Sequence, residues 1–176
     1  MRVQVIVISG SMGSGKTTVL GEASDILSAR GVVHAAIDLD AVASALLPDL
    51  ISTDLVYRNL ASVWTNYASA GVTKLLLAEA VENRDELERL RRAIPGAELV
   101  VCRLTAALET MQERLRTREP GMLQRQFLAR ARELEAVLDS AHLENFTIAN
   151  QNRPVTEVAR ELLRRAGWID DSTSIE

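Results

Sequence analysis

The chain has 176 residues, 47% hydrophobic but only 3% aromatic, with 25% charged residues and a net charge of −4. That length predicts one domain with room for a sheet covered on both faces, and the composition suits Leu-, Ala- and Val-rich helices packed on it. Arginines interleaved with glutamates leave no basic face for nucleic acid or an anionic membrane, and a single cysteine excludes an internal disulfide.

One domain is expected over residues 1–168, with a frayed tail at 169–176 and assembly as a monomer or homodimer. The opening Met-Arg leads directly into an apolar run too short to span a bilayer, so a cytoplasmic protein is expected. Cys102 falls within a strand-like run and reads as a buried, inert thiol.

Residues 3–8 are β-branched but for one and predict a buried strand. It feeds into Gly10-Ser11-Met12-Gly13-Ser14-Gly15-Lys16-Thr17, which fits the phosphate-loop pattern G-x-x-x-x-G-K-[ST] at every specified position. Three glycines let the backbone turn inward, so that successive N–H groups point at the same phosphate oxygens. The following helix runs on Val19, Leu20, Ala23, Ile26 and Leu27 to a stop at Gly31, and it presents its positive end to the same phosphates. Lys16 can bridge the β- and γ-phosphates, the Thr17 hydroxyl can join a Mg²⁺ shell, and Thr18 extends the donor set.

A second strand is expected over 32–37, one right-handed βαβ unit on. Asp38 and Asp40 then stand at its carboxyl end, the edge where open α/β sheets bind ligands, and either can orient a hydroxyl or a metal-bound water. Asp40 also reads as the cap of a short helix over 41–47, ended by Pro48. A longer helix follows over about 54–70, with Val56, Leu60, Val63 and Tyr67 on one face. The insertion over about 41–71 lies where an acceptor would bind, with Arg58 and Asn59 as possible contacts and Trp64 and Tyr67 read as core. The third strand, 72–78, ends at Glu79, a carboxylate placed to reach Mg²⁺ through water. Asn83 and Glu86 form a capping box for a helix over 84–93.

Residues 99–104 predict a fourth strand, and Thr105 begins a helix with Leu108, Met111 and Leu115 on its apolar line. Arg114 and Arg118 lie four apart on its other face, pointing the same way, and a guanidinium can stack on a base or fork onto a phosphate. Glu119-Pro120-Gly121 breaks this helix. A long amphipathic segment follows, buried through Leu123, Phe127, Leu134, Val137 and Leu138, with Arg125, Arg130 and Arg132 along it. A lid over about 117–130 would fold across the nucleotide. A fifth strand is expected at 146–149, Asn150 to Arg153 sit at the ligand edge, and Pro154 opens the last helix. His34 and His142 stand far apart, so neither a metal cluster nor a Ser-His-acid arrangement is expected, and His34 reads as a satisfied core residue.

The chain resembles small P-loop kinases of the nucleoside monophosphate kinase-like group, which includes adenylylsulfate, gluconate and shikimate kinases and chloramphenicol phosphotransferase. Gly10 to Thr18 carry the likeness most specifically. Ile37-Asp38-Leu39-Asp40 is similar to the strand-end aspartate motif of the adenylylsulfate and chloramphenicol kinases, and Arg114-Leu115-Arg116-Thr117-Arg118-Glu119 to the arginine motif leading into their lid. The resemblance implies an α/β, three-layer P-loop NTPase fold: a five-stranded parallel sheet in the order 2-3-1-4-5 with helices on both faces. It also implies ATP and Mg²⁺ as cofactors, phosphate on Lys16, Mg²⁺ on Thr17, the acceptor on Asp38 or Asp40, adenine against Arg114, and the phosphates near Arg118.

Two departures stand out. Ala78-Glu79-Ala80 replaces an Asp-Gly pair common at the end of the third strand, and the lid is short and lacks zinc cysteines. No arginine pattern marks a shikimate, nucleotide or sulfonucleotide acceptor. The function expected is ATP-dependent transfer of a γ-phosphoryl group to a hydroxyl or phosphate of an unidentified small molecule. The alternative is a nucleotide-binding or nucleotide-hydrolysing regulator without an acceptor, but the Asn-Lys-x-Asp and Asp-x-x-Gly segments of GTP-binding switches are absent.

Overall fold

The computed structural model describes residues 2–43, 54–118, 121 and 124–170. Its central strand, β1 (Val3–Ser9), divides the interior by simple alternation: Ile6 and Ile8 enter one core, and Val3, Val5 and Val7 enter the other. Parallel strands need crossovers, and the chain makes each one with helices. The remaining elements are α1 (Lys16–Ala29), β2 (Ala35–Asp38), α2 (Leu39–Ala43), α3 (Asp54–Ser69), β3 (Lys74–Ala78), α4 (Arg84–Ala93), β4 (Ala97–Thr105), α5 (Leu108–Arg118), α6 (Gln124–Ala141), β5 (Phe146–Ala149) and α7 (Val155–Arg165). The five strands are all parallel, in the order β2-β3-β1-β4-β5.

One core joins Ile6 and Ile8 to Val19, Ala23 and Leu27 of α1 and to Val158, Leu162 and Leu163 of α7. The other joins Val5 and Val7 to Leu60 and Trp64 of α3 and Leu90 and Ala93 of α4. A sheet buried on both faces explains why β1 from Val5 to Ile8 and β3 from Leu75 to Ala78 are apolar throughout instead of alternating.

The second strand begins three residues later than the sequence predicts. Gly31, at φ 66°, closes α1, and the Val32 N–H donates to the Leu27 carbonyl at 3.0 Å, so the residues after it are still engaged with the helix end. Val33 is 68% exposed, and pairing with β3 starts at Ala35 opposite Leu75. His34 is satisfied but only half-buried: Nδ1 lies 2.8 Å from the Val32 carbonyl oxygen and Nε2 lies 2.9 Å from Ser24 Oγ. On α3 the packing centres on Leu60 and Trp64, one turn apart, which brings Trp64 into the core as expected but leaves Tyr67 39% exposed at the rim. Thr105 completes β4, and α5 starts at Leu108.

Buried polar links fix α6 against the sheet. Arg103 of β4, its side chain 5% exposed, pairs with Glu135 at 2.5 Å and Asp139 at 2.8 Å. Ser11 Oγ donates to the Ala131 carbonyl at 2.7 Å.

Candidate active site

Strand β1 ends at the loop between Ser9 and Lys16, and two of its glycines are there because a neighbour occupies the space of a side chain. A Cβ on Gly13 (φ 81°) would lie 2.5 Å from the Met111 carbonyl oxygen, and one on Gly15 (φ 96°) would collide with Asn150 Nδ2. Gly15 is also the N-cap of α1 and brings no side chain to cap it. The first-turn amides of α1 therefore face outward, into a cavity of about 410 Å³.

Met12, Gly13, Gly15, Lys16, Thr17 and Thr18 line that cavity from the loop side, joined by Asp40 and Arg114. Lys16 Nζ donates to the Gly10 carbonyl at 3.0 Å and to the Ser11 carbonyl at 3.3 Å, holding its ammonium across the loop. Ser11 and Ser14 are buried beneath it.

The two strand-end aspartates have different surroundings. Asp38 is engaged through both oxygens: Oδ2 accepts from Thr17 Oγ1 at 2.7 Å, and Oδ1 accepts from the Asp40 N–H at 3.1 Å. Asp38, not Asp40, is thus the residue that caps α2, because the helix starts two residues earlier than the sequence predicts. Asp40, in the first turn of α2, is exposed and lines the cavity. The rest of the expected 41–47 helix beyond Ala43 lies outside the described residues, as does the stretch of the insertion up to residue 53.

Arg114 is fixed by the loop and the sheet together. Its guanidinium donates to the Gly13 carbonyl at 3.2 Å and to the Asn150 carbonyl at 2.9 Å. Leu115, Phe127, Asn150, Arg153 and Val155 complete that end of the cavity, giving it a mixed apolar and basic wall. Arg118 ends α5, but its side chain is outside the described residues, as are residues 119, 120, 122 and 123 of the expected lid. Arg125 and Arg132 are exposed on α6, and Arg130 pairs with Glu82 at 2.5 Å.

Asn150 has a part that the sequence did not disclose. It is 7% exposed; its amide Nδ2 donates to the Ser14 carbonyl at 2.7 Å, while its own N–H donates to the Thr105 carbonyl at 2.7 Å. The end of β5 is tied in this way to the glycine loop. An asparagine in a turn has many ordinary uses, and only its position at the strand edge pointed here.

Glu79 lies one residue beyond the rung that aligns Ile8, Ala78 and Asp38, and its N–H donates to the Ile8 carbonyl at 3.2 Å. It lines a second cavity, of about 290 Å³, with Val56, Tyr57, Asn83, Asp85, Glu86 and Arg89. Burial, followed by the charges of Asp40 and Glu86, raises its carboxyl to about 8. Burial likewise drives the Tyr57 phenol upward, so this tyrosine is a neutral hydrogen-bond donor. The expected capping box is present: the Glu86 N–H donates to Asn83 Oδ1 at 3.0 Å, and Glu86 Oε2 accepts from the Glu82 N–H at 2.6 Å. Arg58 and Asn59 do not line this cavity; Arg58 is exposed, and Asn59 Nδ2 donates to the Val42 carbonyl at 2.9 Å, joining α3 to α2.

No family model matches the chain, and no curated protein matches it in sequence. Solved structures do match in fold. A gluconokinase from Sinorhizobium meliloti superposes with a TM-score of 0.61 at 23% identity, covering 95% of this chain and 94% of its own. A tunicamycin resistance protein from Deinococcus radiodurans gives 0.68 at 17% identity, over 96% and 98%. An APS kinase from Mycobacterium tuberculosis, in complex with AMPPNP and APS, gives 0.60 at 18% identity, over 93% and 96%. The chain therefore has the fold of the P-loop kinases, with a parallel sheet in the order 2-3-1-4-5 and a glycine loop leading from β1 into α1.

Proposed function

We propose that the protein is an ATP-dependent phosphotransferase that moves the γ-phosphoryl group to a hydroxyl or phosphate of a small molecule. The observation that carries this reading is the uncapped N-terminus of α1, opening with Lys16 and Thr17 onto a cavity that also holds the carboxylate of Asp40. Amides at a helix N-terminus together with an ammonium make a polyanion site, and an exposed carboxylate beside it is misplaced unless a hydroxyl or a metal-bound water is to approach the phosphate.

In this reading the amides of residues 13–18 and the Lys16 ammonium hold the triphosphate, and the Arg114 guanidinium, fixed at two points, offers its flat face to the base. Arg118 acts on the phosphates from the end of α5. The donor set fits Mg²⁺: a threonine hydroxyl and a carboxylate, both hard oxygen ligands, already touch beside the loop, and this ion usually takes one or two protein ligands plus phosphates and water. Thr17 would hold the ion and Asp38 would orient Thr17; when bound, the ion neutralises charge on the phosphates. Asp40 receives the acceptor proton, its oxygens being exposed to the cavity while those of Asp38 are engaged. Glu79, expected near the metal through water, is assigned instead to the acceptor side, in the second cavity next to Asp40. The APS kinase that shares this fold has been solved in complex with AMPPNP and APS.

ADP release measured against an acceptor panel, with product mass determined, tests the proposal. Asp40→Asn is expected to lower acceptor-dependent turnover by about 10²- to 10⁴-fold while leaving nucleotide affinity intact. Equal turnover in the variant and the wild type would remove Asp40 from the chemistry, and indifference to every acceptor would favour a regulator.

A further inference from the structure

The second cavity also carries information about what it receives, provided the phosphotransferase reading above holds. Around it stand Glu79, Asp85 and Glu86, with Arg89 as the cation that lines it. That arginine is already matched: Nε pairs with Asp85 at 2.7 Å, Nη1 lies 3.3 Å from Asp54 Oδ1, and the guanidinium sits 5.8 Å from the centre of the Tyr57 ring. Glu86 accepts from the Glu82 N–H and from Asn83 Nδ2 at 3.2 Å, and burial raises its carboxyl above the usual range. The Glu79 carboxylate is half-buried and has no hydrogen-bond or ion-pair partner among the described residues. On the phosphate side stands a further carboxylate, Asp40.

The sequence of the insertion points the same way. Between residues 41 and 71 the only lysine or arginine is Arg58, which lies exposed and outside the cavity lining. A carboxylate, sulfate or phosphate on the acceptor would enter an acidic wall in which, among the described residues, the one lining cation, Arg89, is already matched and Lys16 lies on the phosphate side. A neutral polyol would avoid that repulsion but would leave Glu79 holding its proton up to about pH 8, with no opposite charge to pair with. An ammonium group suits the wall better: its charge favours ionisation of Glu79 and pairs with the carboxylate so formed, and the Tyr57 ring offers it an apolar and cation-binding face.

We propose that the acceptor is an amine-bearing hydroxyl compound whose ammonium is held by Glu79 and Glu86, with its hydroxyl directed to Asp40. In the step itself the hydroxyl oxygen bonds to the γ-phosphorus, the bond from that phosphorus to the β–γ bridging oxygen breaks, and ADP leaves. The hydroxyl proton passes to the Asp40 carboxylate and then to solvent.

The test uses matched triplets of an amine, a neutral and an acid on one carbon skeleton: an aminohexose, a hexose and a hexonic acid, together with an amino alcohol, a diol and a hydroxy acid. MgATP binding is measured first by calorimetry on the full chain. ADP release is then followed with each compound, and the product is weighed by mass spectrometry. The amine member is expected to stimulate best in each triplet and to gain one phosphoryl group. Glu79→Gln is expected to raise its KM by about tenfold or more, with the KM of the neutral member and the MgATP affinity unchanged. Glu86→Gln serves as the second variant should Glu79→Gln fail to fold. A neutral or acidic member that matches the amine, an amine that never exceeds the acceptor-free rate, or an amine KM unmoved by either variant would overturn the proposal. Absence of MgATP binding would instead overturn the phosphotransferase reading on which it stands.

Discussion

Placing alanine at Gly15 perturbs the glycine loop in a way that can be worked out from its neighbours. The backbone there has φ 96°, a left-handed conformation that costs a side-chain-bearing residue about 1–2 kcal/mol. The new Cβ also collides with Asn150 Nδ2, which cannot move aside without giving up its hydrogen bond to the Ser14 carbonyl. Leaving that buried amide and carbonyl unpaired costs about 1–3 kcal/mol more. The single variant should lose about 2–5 kcal/mol, equivalent to about 4–20 °C in Tm at about 2–4 °C per kcal/mol. Asn150→Ala alone should lose about 1–3 kcal/mol, because it forfeits the Ser14 bond but keeps the backbone bond to Arg114. Combined, the two should cost less than their sum by about 1–3 kcal/mol, since the collision is removed and the lost bond is counted once. Urea unfolding followed through the buried Trp64 and Trp168 measures all four corners of the cycle. Strict additivity would refute the claim that Asn150 is the residue that requires glycine at position 15.

Two further perturbations probe the site's surroundings. The raised carboxyl of Glu79 makes the folded chain keep a proton up to about pH 8, which the unfolded chain gives up near 4.5. Its contribution to stability is thus complete below that lower value and is lost as pH rises through about 8. Glu79→Gln should gain on the wild type over this window, by up to about 4 kcal/mol at pH 9, and a stability difference that is flat between pH 5 and pH 9 would contradict it. Arg103→Met strands the Glu135 carboxylate against the sheet and should cost about 3 kcal/mol in urea unfolding, most of it restored in Arg103→Met with Glu135→Met. A double variant no better than the single would show that the arginine contributes through its packing and not its charge.

Periodicity and punctuation made much of this architecture legible. Largely apolar runs at 3–8 and 75–78 belong to strands buried on both faces, although β3 starts at Lys74, two residues after the sequence predicts, and the Asn83–Glu86 box appears at the start of α4 as its spacing requires. Cys102, read as inert from its apolar surroundings, is buried, with its thiol pushed up to about 12. The second strand starts later than the sequence predicts because Val32 and Val33 have strong strand preference, and local preference carries no signal that a helix end will claim the following residues. The cap of α2 is hidden for a similar reason: Asp38 and Asp40 are equivalent as types, and only the helix start decides which carboxylate turns inward. The connection of Asn150 to Ser14 spans 136 residues, and no local pattern announces a contact at that distance. Arg103 did leave a trace, since an arginine within an apolar strand needs buried partners, although α6 supplies them from 32 residues away.

Whether the glycine loop holds a triphosphate is read by calorimetric titration of MgATP into the wild type and Lys16→Ala. One site per chain is predicted, lost in a Lys16→Ala variant that still unfolds cooperatively. No heat in the wild type, or equal affinity in the variant, would contradict it.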